Sequence, residues 1–178
     1  RRLLRFLHKN QGEKRTMKWL TMGILYLVYW GICVLCTGTD KKNLASLRAY
    51  PDAVQARVKQ EKSLQGKLPK EKPQSAVFLS NFVLFTVVLA LLGWAFKETL
   101  ADFGAAFGYL LAVGEGLNLF DLLVIDLLWW RNAPRVRFSF LPEKALYHAP
   151  EKHVQAFVRG IPMFALAALA AAGLVTGL

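Results

Sequence analysis

The charges of this chain fall in blocks, and four long stretches between the blocks carry few or none. A soluble domain of this length spreads Lys, Arg, Asp and Glu over the outer faces of all its elements, so this distribution excludes an ordinary water-soluble fold. Stretches 19–37, 76–96 and 160–178 have no charged residue, and 103–130 has only Glu115, Asp121 and Asp126. Each is close to or above the ~20 residues with which a helix crosses ~30 Å of hydrocarbon. The expected fold is therefore all-α: an integral membrane bundle of four transmembrane helices, at about 19–37, 76–96, 103–130 and 160–178, forming one membrane domain over 19–178.

The net charge of +11 comes from what flanks these stretches. Lys and Arg beside apolar segments meet the anionic cytoplasmic leaflet, which makes the bilayer and its anionic headgroups the expected partners. Nucleic acid is not an expected partner, because no helix-turn-helix, RNP-like or zinc-finger pattern accompanies the charge. Residues 1–18 form a basic arm with seven Lys/Arg and one acid. Met17-Lys18-Trp19 reads as a native start, which would make 1–16 upstream sequence. The long apolar run that follows, with no cleavage motif after it, reads as a retained helix and not a signal peptide.

Two basic loops follow, 38–75 with nine Lys/Arg and 131–159 with six. With four spans they share a side and carry fifteen basic residues, against eight on the side of the arm and the 97–102 turn. The positive-inside rule then puts both loops in the cytoplasm. Pro51 opens a helix whose thin apolar face, Leu47, Val54 and Val58, suits either a membrane surface or a solvated linker. Neither loop reaches the ~40 residues below which a domain seldom folds alone, so no separate soluble catalytic domain is expected. Trp19, Trp94, Trp129 and Trp130 fall at segment ends, as interfacial anchors do.

The third segment carries the chemistry. Its 28 residues exceed a membrane's thickness as a straight α-helix, and Gly114-Glu115-Gly116 is the expected break. Ionisable groups at this depth are costly unless paired or hydrated. At 100° per residue Asn118 lies about −60° and Asp126 about 20° from Glu115, with Asp121 at the margin of that stripe. Gly104, Gly108, Ala112 and Gly116 form a ridge of small residues beside it, so this face is expected to point into the bundle. Glu115, Asn118, Asp121 and Asp126 are the candidate ion- or ligand-binding residues, with interhelical hydrogen bonding as the structural alternative. Glu115 lies near the midplane, where the neutral acid is the cheaper form.

Arg131, Arg135, Arg137 and Lys144 are candidates for a headgroup or anion patch. Cys33 and Cys36 make a CxxC, whose text CVLC resembles the motif of quinone-dependent membrane disulfide oxidoreductases. That resemblance covers four residues and lacks the family's second cysteine pair, so packing is the first reading and redox chemistry the second. His148 and His153 are five apart across Pro150, a poor spacing for a metal pair, and headgroup-facing or solvated histidines are expected. No catalytic residue, metal or cofactor is assigned. P-loop, GxGxxG, GxSxG and HExxH motifs are missing from the sequence.

The order YP-DAVQ-R, then FDLLVIDLLWW, then R-x-R and KHVQAFVRGIP, resembles a group of small bacterial multi-pass membrane proteins with no established activity. The likeness spans most of 50–165, with Phe120, Asp121, Asp126 and Trp129 its strongest element. It implies a bacterial inner-membrane location and no substrate. Three functions follow in order. The first is a small transport or channel-like component, as an oligomer or beside a membrane partner. The second is a scaffold recruiting partners or anionic lipids through the basic loops. The third is a membrane enzyme using the CxxC, or Asp121 and Asp126 on lipid headgroups.

Overall fold

The computed structural model describes residues 2–177, and within that range all side chains except those of 2–11, 14 and 15. His8 and the arm's basic side chains upstream of Lys18 lie outside the described side chains. The described chain is all-α, with no strands. Helix α1 covers Arg2–Leu35, α2 Asp40–Ala45, α3 Asp52–Gln60, α4 Gln74–Ala95, α5 Phe103–Phe120 and α6 Glu151–Thr176. α5 runs on without interruption into a π-helical segment, Asp121–Trp130. Three helices, over Thr16–Leu35, Gln74–Ala95 and Lys144–Thr176, are long and apolar enough to cross a membrane. That is compatible with an integral membrane protein.

α4 and α5 are antiparallel neighbours, joined by the short turn the sequence predicts. Asp102 closes it by accepting a 2.8 Å hydrogen bond from the Ala105 N–H at the start of α5. α6 lies along both. Ala167, Ala168, Ala171 and Ala172 are all buried there, against Leu89 and Ala90 of α4 and Ala106, Leu110 and Val113 of α5. Small residues let these helices approach closely. A Cβ on Gly114 would stand 3.0 Å from Phe164, and one on Gly93 2.6 Å from Val175. The Ala- and Gly-rich face of the last helix therefore packs internally.

α1 is peripheral. The Tyr26 hydroxyl donates to the Val113 carbonyl at 2.9 Å, and Trp30 meets Trp129 edge-on. Lys18 reaches the Thr99 carbonyl at 3.4 Å, which brings the start of the apolar stretch to the 97–102 turn.

Two expectations about the third segment need correction. The helix does not break at Gly114-Glu115-Gly116; α5 continues to Phe120 and then widens. π winding takes more residues per turn, so the same chain covers less axial length and the excess is absorbed without a kink. Of the small-residue ridge only Gly116 meets a neighbouring helix, at Tyr26 of α1, whose hydroxyl any Cβ there would run into. Gly104, Gly108 and Ala112 are exposed, and nothing lies within 4 Å of a Cβ built on Gly108. The buried face is instead Ala106, Leu110, Val113, Gly114, Leu117 and Asn118.

The two basic loops fold together into one cap over the end of the bundle. Its core joins Leu44, Leu47, Tyr50, Val54 and Val58 of the first loop to Val136, Phe138, Leu141 and Tyr147 of the second, on Trp130. Asn43, fully buried, donates to the Arg135 and Arg137 carbonyls at 3.1 and 3.3 Å. The Tyr50 hydroxyl donates to the Val136 carbonyl at 2.7 Å. Val54 and Val58 are thus core residues, and α3 is neither a membrane-surface helix nor a linker. Each loop is too short to fold alone; pooled, they bury enough apolar surface to do so.

The cap has a pH signature. Burial raises the Tyr50 phenol well above the ordinary tyrosine range, and Tyr147 and Asp40 push the same way. In the unfolded chain Tyr50 ionises from about pH 10. Its contribution is therefore complete below that pH and lost as pH rises toward the folded-state value. Melting of the detergent-solubilised protein, followed by circular dichroism, is expected to fall more steeply above pH 10 in wild type than in Tyr50→Phe. Equal slopes would show that Tyr50 is not titrating on unfolding.

Candidate functional site

Beneath the cap, a cavity of about 520 Å³ opens between α4 and α6 and reaches inward to α5 and α1. Such a volume suits a small-molecule site. Arg48, Gln74, Ser75 and Arg159 stand at its cap-side end. Val77, Phe78, Phe85, Met163 and Phe164 form apolar walls, and Tyr29, Asn118 and Asp121 line its inner side. From Gln74 to Phe85 the α4 wall runs about 16 Å along the helix. On the far side lies the Ala-rich α4–α5–α6 core, so the cavity ends on packed side chains.

Of the four acidic-stripe candidates, the cavity takes two, Asn118 and Asp121. Asn118 is buried and donates from Nδ2 to the Phe157 carbonyl of α6 at 3.2 Å. It also makes a longer 3.4 Å bond to Glu115. Gly160 is what admits it, since any Cβ there would run into the Asn118 amide. Asn118 is thus first a helix–helix hydrogen bond. Asp121 stands beside the Tyr29 hydroxyl and near Asp126. Glu115 is half-buried and does not line the cavity.

Asp126 faces α6, as Asn118 does, and its Oδ2 accepts from His153 Nδ1 at 2.9 Å. His153 is 4% exposed and packs edge-on against Trp130 at 4.8 Å between ring centres. It is therefore neither solvated nor headgroup-facing, as its place in a polar loop suggested. The loop's PEKHVQAFVR segment is the first three turns of α6, and these carry His153 under the cap. Its Nε2 has no hydrogen-bond partner among the described residues.

The basic candidates are dispersed. Arg135 donates from Nε to Thr37 Oγ1 at 3.1 Å and from a terminal nitrogen to the Thr37 carbonyl at 3.0 Å, clamping the second loop onto the end of α1. Arg137 reaches the Asn132 carbonyl at 3.4 Å. Arg131 is half-buried and Lys144 exposed. None of the four lines the cavity. Cys33 and Cys36 are free thiols, with Cys33 half-buried near Asp121 and Asp126. Among the described residues, no group of three or more His, Cys, Asp or Glu is placed to hold a metal ion.

Tyr29, Arg48 and Arg159 line the cavity and are not singled out by the sequence. Tyr29 is one of several aromatics on an apolar helix and has no local mark. Arg159 had one: a lone cation immediately before the uncharged run that opens Gly160-Ile161-Pro162.

The fold and the cavity define an all-α protein with three helices able to cross a membrane and a mainly apolar pocket beside the packed loops. Compared with known proteins, the chain matches no family model, no curated protein and no solved structure.

Proposed function

We propose that this is a small transport component of the membrane, in which the segment 103–130 crosses as a fourth span and the cavity is the substrate site. The observation that carries this reading is that the cavity meets an acid, Asp121, inside the apolar part of the chain. Ionisable groups at such depth mark substrate and proton pathways. The cavity borders the packed Ala-rich core of α4, α5 and α6 on one side. That favours a carrier open to one side over a continuous pore. The sliding surfaces would be the smooth Ala/Gly contacts of α4, α5 and α6.

The test uses the full chain in liposomes with an entrapped pH dye and an imposed potassium diffusion potential. Wild type is expected to carry protons above the rate of empty vesicles. Asp121→Asn is expected to fall to that background, whereas Glu115→Gln retains the flux because Glu115 lies outside the cavity. Wild-type flux equal to that of empty vesicles would remove the reading.

A second reading, a membrane enzyme acting on lipid headgroups, is favoured by the sharing of one cavity by Asp121 and the cations Arg48 and Arg159. It predicts a chemically altered lipid, seen by mass spectrometry of the liposome extract. The scaffold reading has less support, because the Arg135 and Arg137 side chains make their bonds within the cap.

A further inference from the structure

We infer that the cavity takes an anionic amphiphile with a single hydrocarbon chain, its acid group on Arg159 and Arg48 and its chain along Phe78, Phe85 and Phe164. This deepens the transport reading by naming a substrate class, and it rests on the cavity being the substrate site.

The cavity combines cationic and apolar side chains. At the cap-side end two guanidinium groups line the same space. Arg48 is held there by the Lys72 carbonyl at 3.1 Å and by the Gln74 amide oxygen. Two contacts thus preorganise it at the mouth. Arg159 makes no hydrogen bond or ion pair among the described residues, so its fork of donors is free for a ligand. It projects from α6 one residue before Gly160, the glycine that lets Asn118 close on that helix. A planar guanidinium recognises carboxylate or phosphate oxygens in pairs.

The same cavity also has aromatic and aliphatic walls. Phe85 packs on Phe164 at 4.6 Å between ring centres, and Phe78 stacks near Phe82. These walls bury hydrocarbon but offer nothing to a second charge. The one carboxylate among the residues lining the cavity, Asp121, lies beside Tyr29. A small polar anion would leave the aromatic walls empty, and a neutral amphiphile would leave Arg159 without a counter-charge. A ligand with both parts satisfies both ends.

The test is native mass spectrometry of the full chain in a neutral detergent, titrated with three probes: oleoyl lysophosphatidylglycerol, oleoyl lysophosphatidylcholine and glycerol phosphate. The anionic lysolipid is expected to bind one-to-one and on the order of tenfold or more tighter than the zwitterionic one. Glycerol phosphate alone is expected not to bind. Arg159→Gln, an exposed position where folding is not at stake, is expected to remove the preference for the anionic headgroup. Phe85→Trp, which fills the apolar part, is expected to weaken both lysolipids together, with its melting temperature measured as a check on folding.

Equal binding of the two lysolipids, or an unchanged preference in Arg159→Gln, would overturn the inference. Asp121-dependent proton flux without lysolipid preference would leave the transport reading standing and sink this one. Lysolipid preference without flux would do the reverse.

Discussion

Replacing His153 with leucine is expected to destabilise the protein by about 3–5 kcal/mol, the range for removing one partner of a buried pair. The reason lies in what is left behind. Asp126 has 16% of its side chain exposed, and His153 Nδ1, at 2.9 Å, is its hydrogen-bond partner. Without the imidazole, the carboxylate remains under Trp130 and the cap with no donor in place. The double replacement of Asp126 and His153 by leucine is expected to recover most of the loss, because no charge is then stranded. Thermal melts of all four proteins in one detergent give the coupling directly. A His153→Leu protein melting at the wild-type temperature would show that water or a rearranged side chain satisfies Asp126, and that the pair does not hold the cap to the bundle.

Tyr50→Ala is expected to cost about as much, 3–5 kcal/mol by analogy with other large aromatic truncations. Tyr50 is 1% exposed and meets Trp130, Phe138 and Tyr147, with ring centres 4.8, 5.3 and 6.0 Å away. It is the residue through which the first loop, the second loop and the end of the third segment touch at once. Tyr50→Phe keeps the packing and loses only the bond to the Val136 carbonyl, so it is expected to cost about 0.5–1.5 kcal/mol. Limited proteolysis separates the two effects from general unfolding. In Tyr50→Ala, cleavage within 62–72 and 139–146 is expected to accelerate, while α4, α5 and α6 stay protected. Protection of both loops in Tyr50→Ala would mean that the cap does not depend on its aromatic centre.

The two replacements probe neighbouring parts of the structure. His153 and Tyr50 both contact Trp130, one from α6 and the other from the first loop. The cap, the end of the π-helical segment and the start of α6 therefore form a continuous packed unit directly above the cavity. Movement of the cap relative to α6 would alter the position of Arg159, two turns along the same helix from His153. The candidate site is thus coupled to the cap through α6, a rigid element, and not through a loop.

Several elements could be read from the order of residues alone. Unbroken apolar runs mark 19–37, 76–96 and 160–178 because hydrocarbon tolerates no scattered charge, and each overlaps a helix able to cross a membrane. The six-residue turn after α4 makes its neighbours antiparallel because so short a connection allows little else. Singling out Asp121 followed from the cost of a carboxylate in an apolar stretch. Glu115 met the same criterion and lies off the cavity, because the criterion measures depth and is blind to which side of the helix faces a neighbour.

The rest depended on long-range contacts. Helical-wheel phase at 100° per residue put Asp126 near Asn118, and both meet α6, but which partner each takes there depends on packing that the wheel does not contain. The ridge of Gly104, Gly108 and Ala112 looked like an internal contact, yet α6 chose the face carrying Val113, Gly114 and Leu117. The first basic loop reads as a membrane-surface or linker helix and the second as a headgroup patch because each shows only half a core, and their apolar residues gain meaning when Tyr50 meets Phe138 and Tyr147. Partition between hydrocarbon and water is a property of each segment by itself, so the order of residues decided which stretches are apolar and where the charges gather. Pairing of Asp126 with His153, the clamp of Arg135 on Thr37, and the cavity between α4 and α6 depend on contacts between segments far apart in the chain, and only folding determines those.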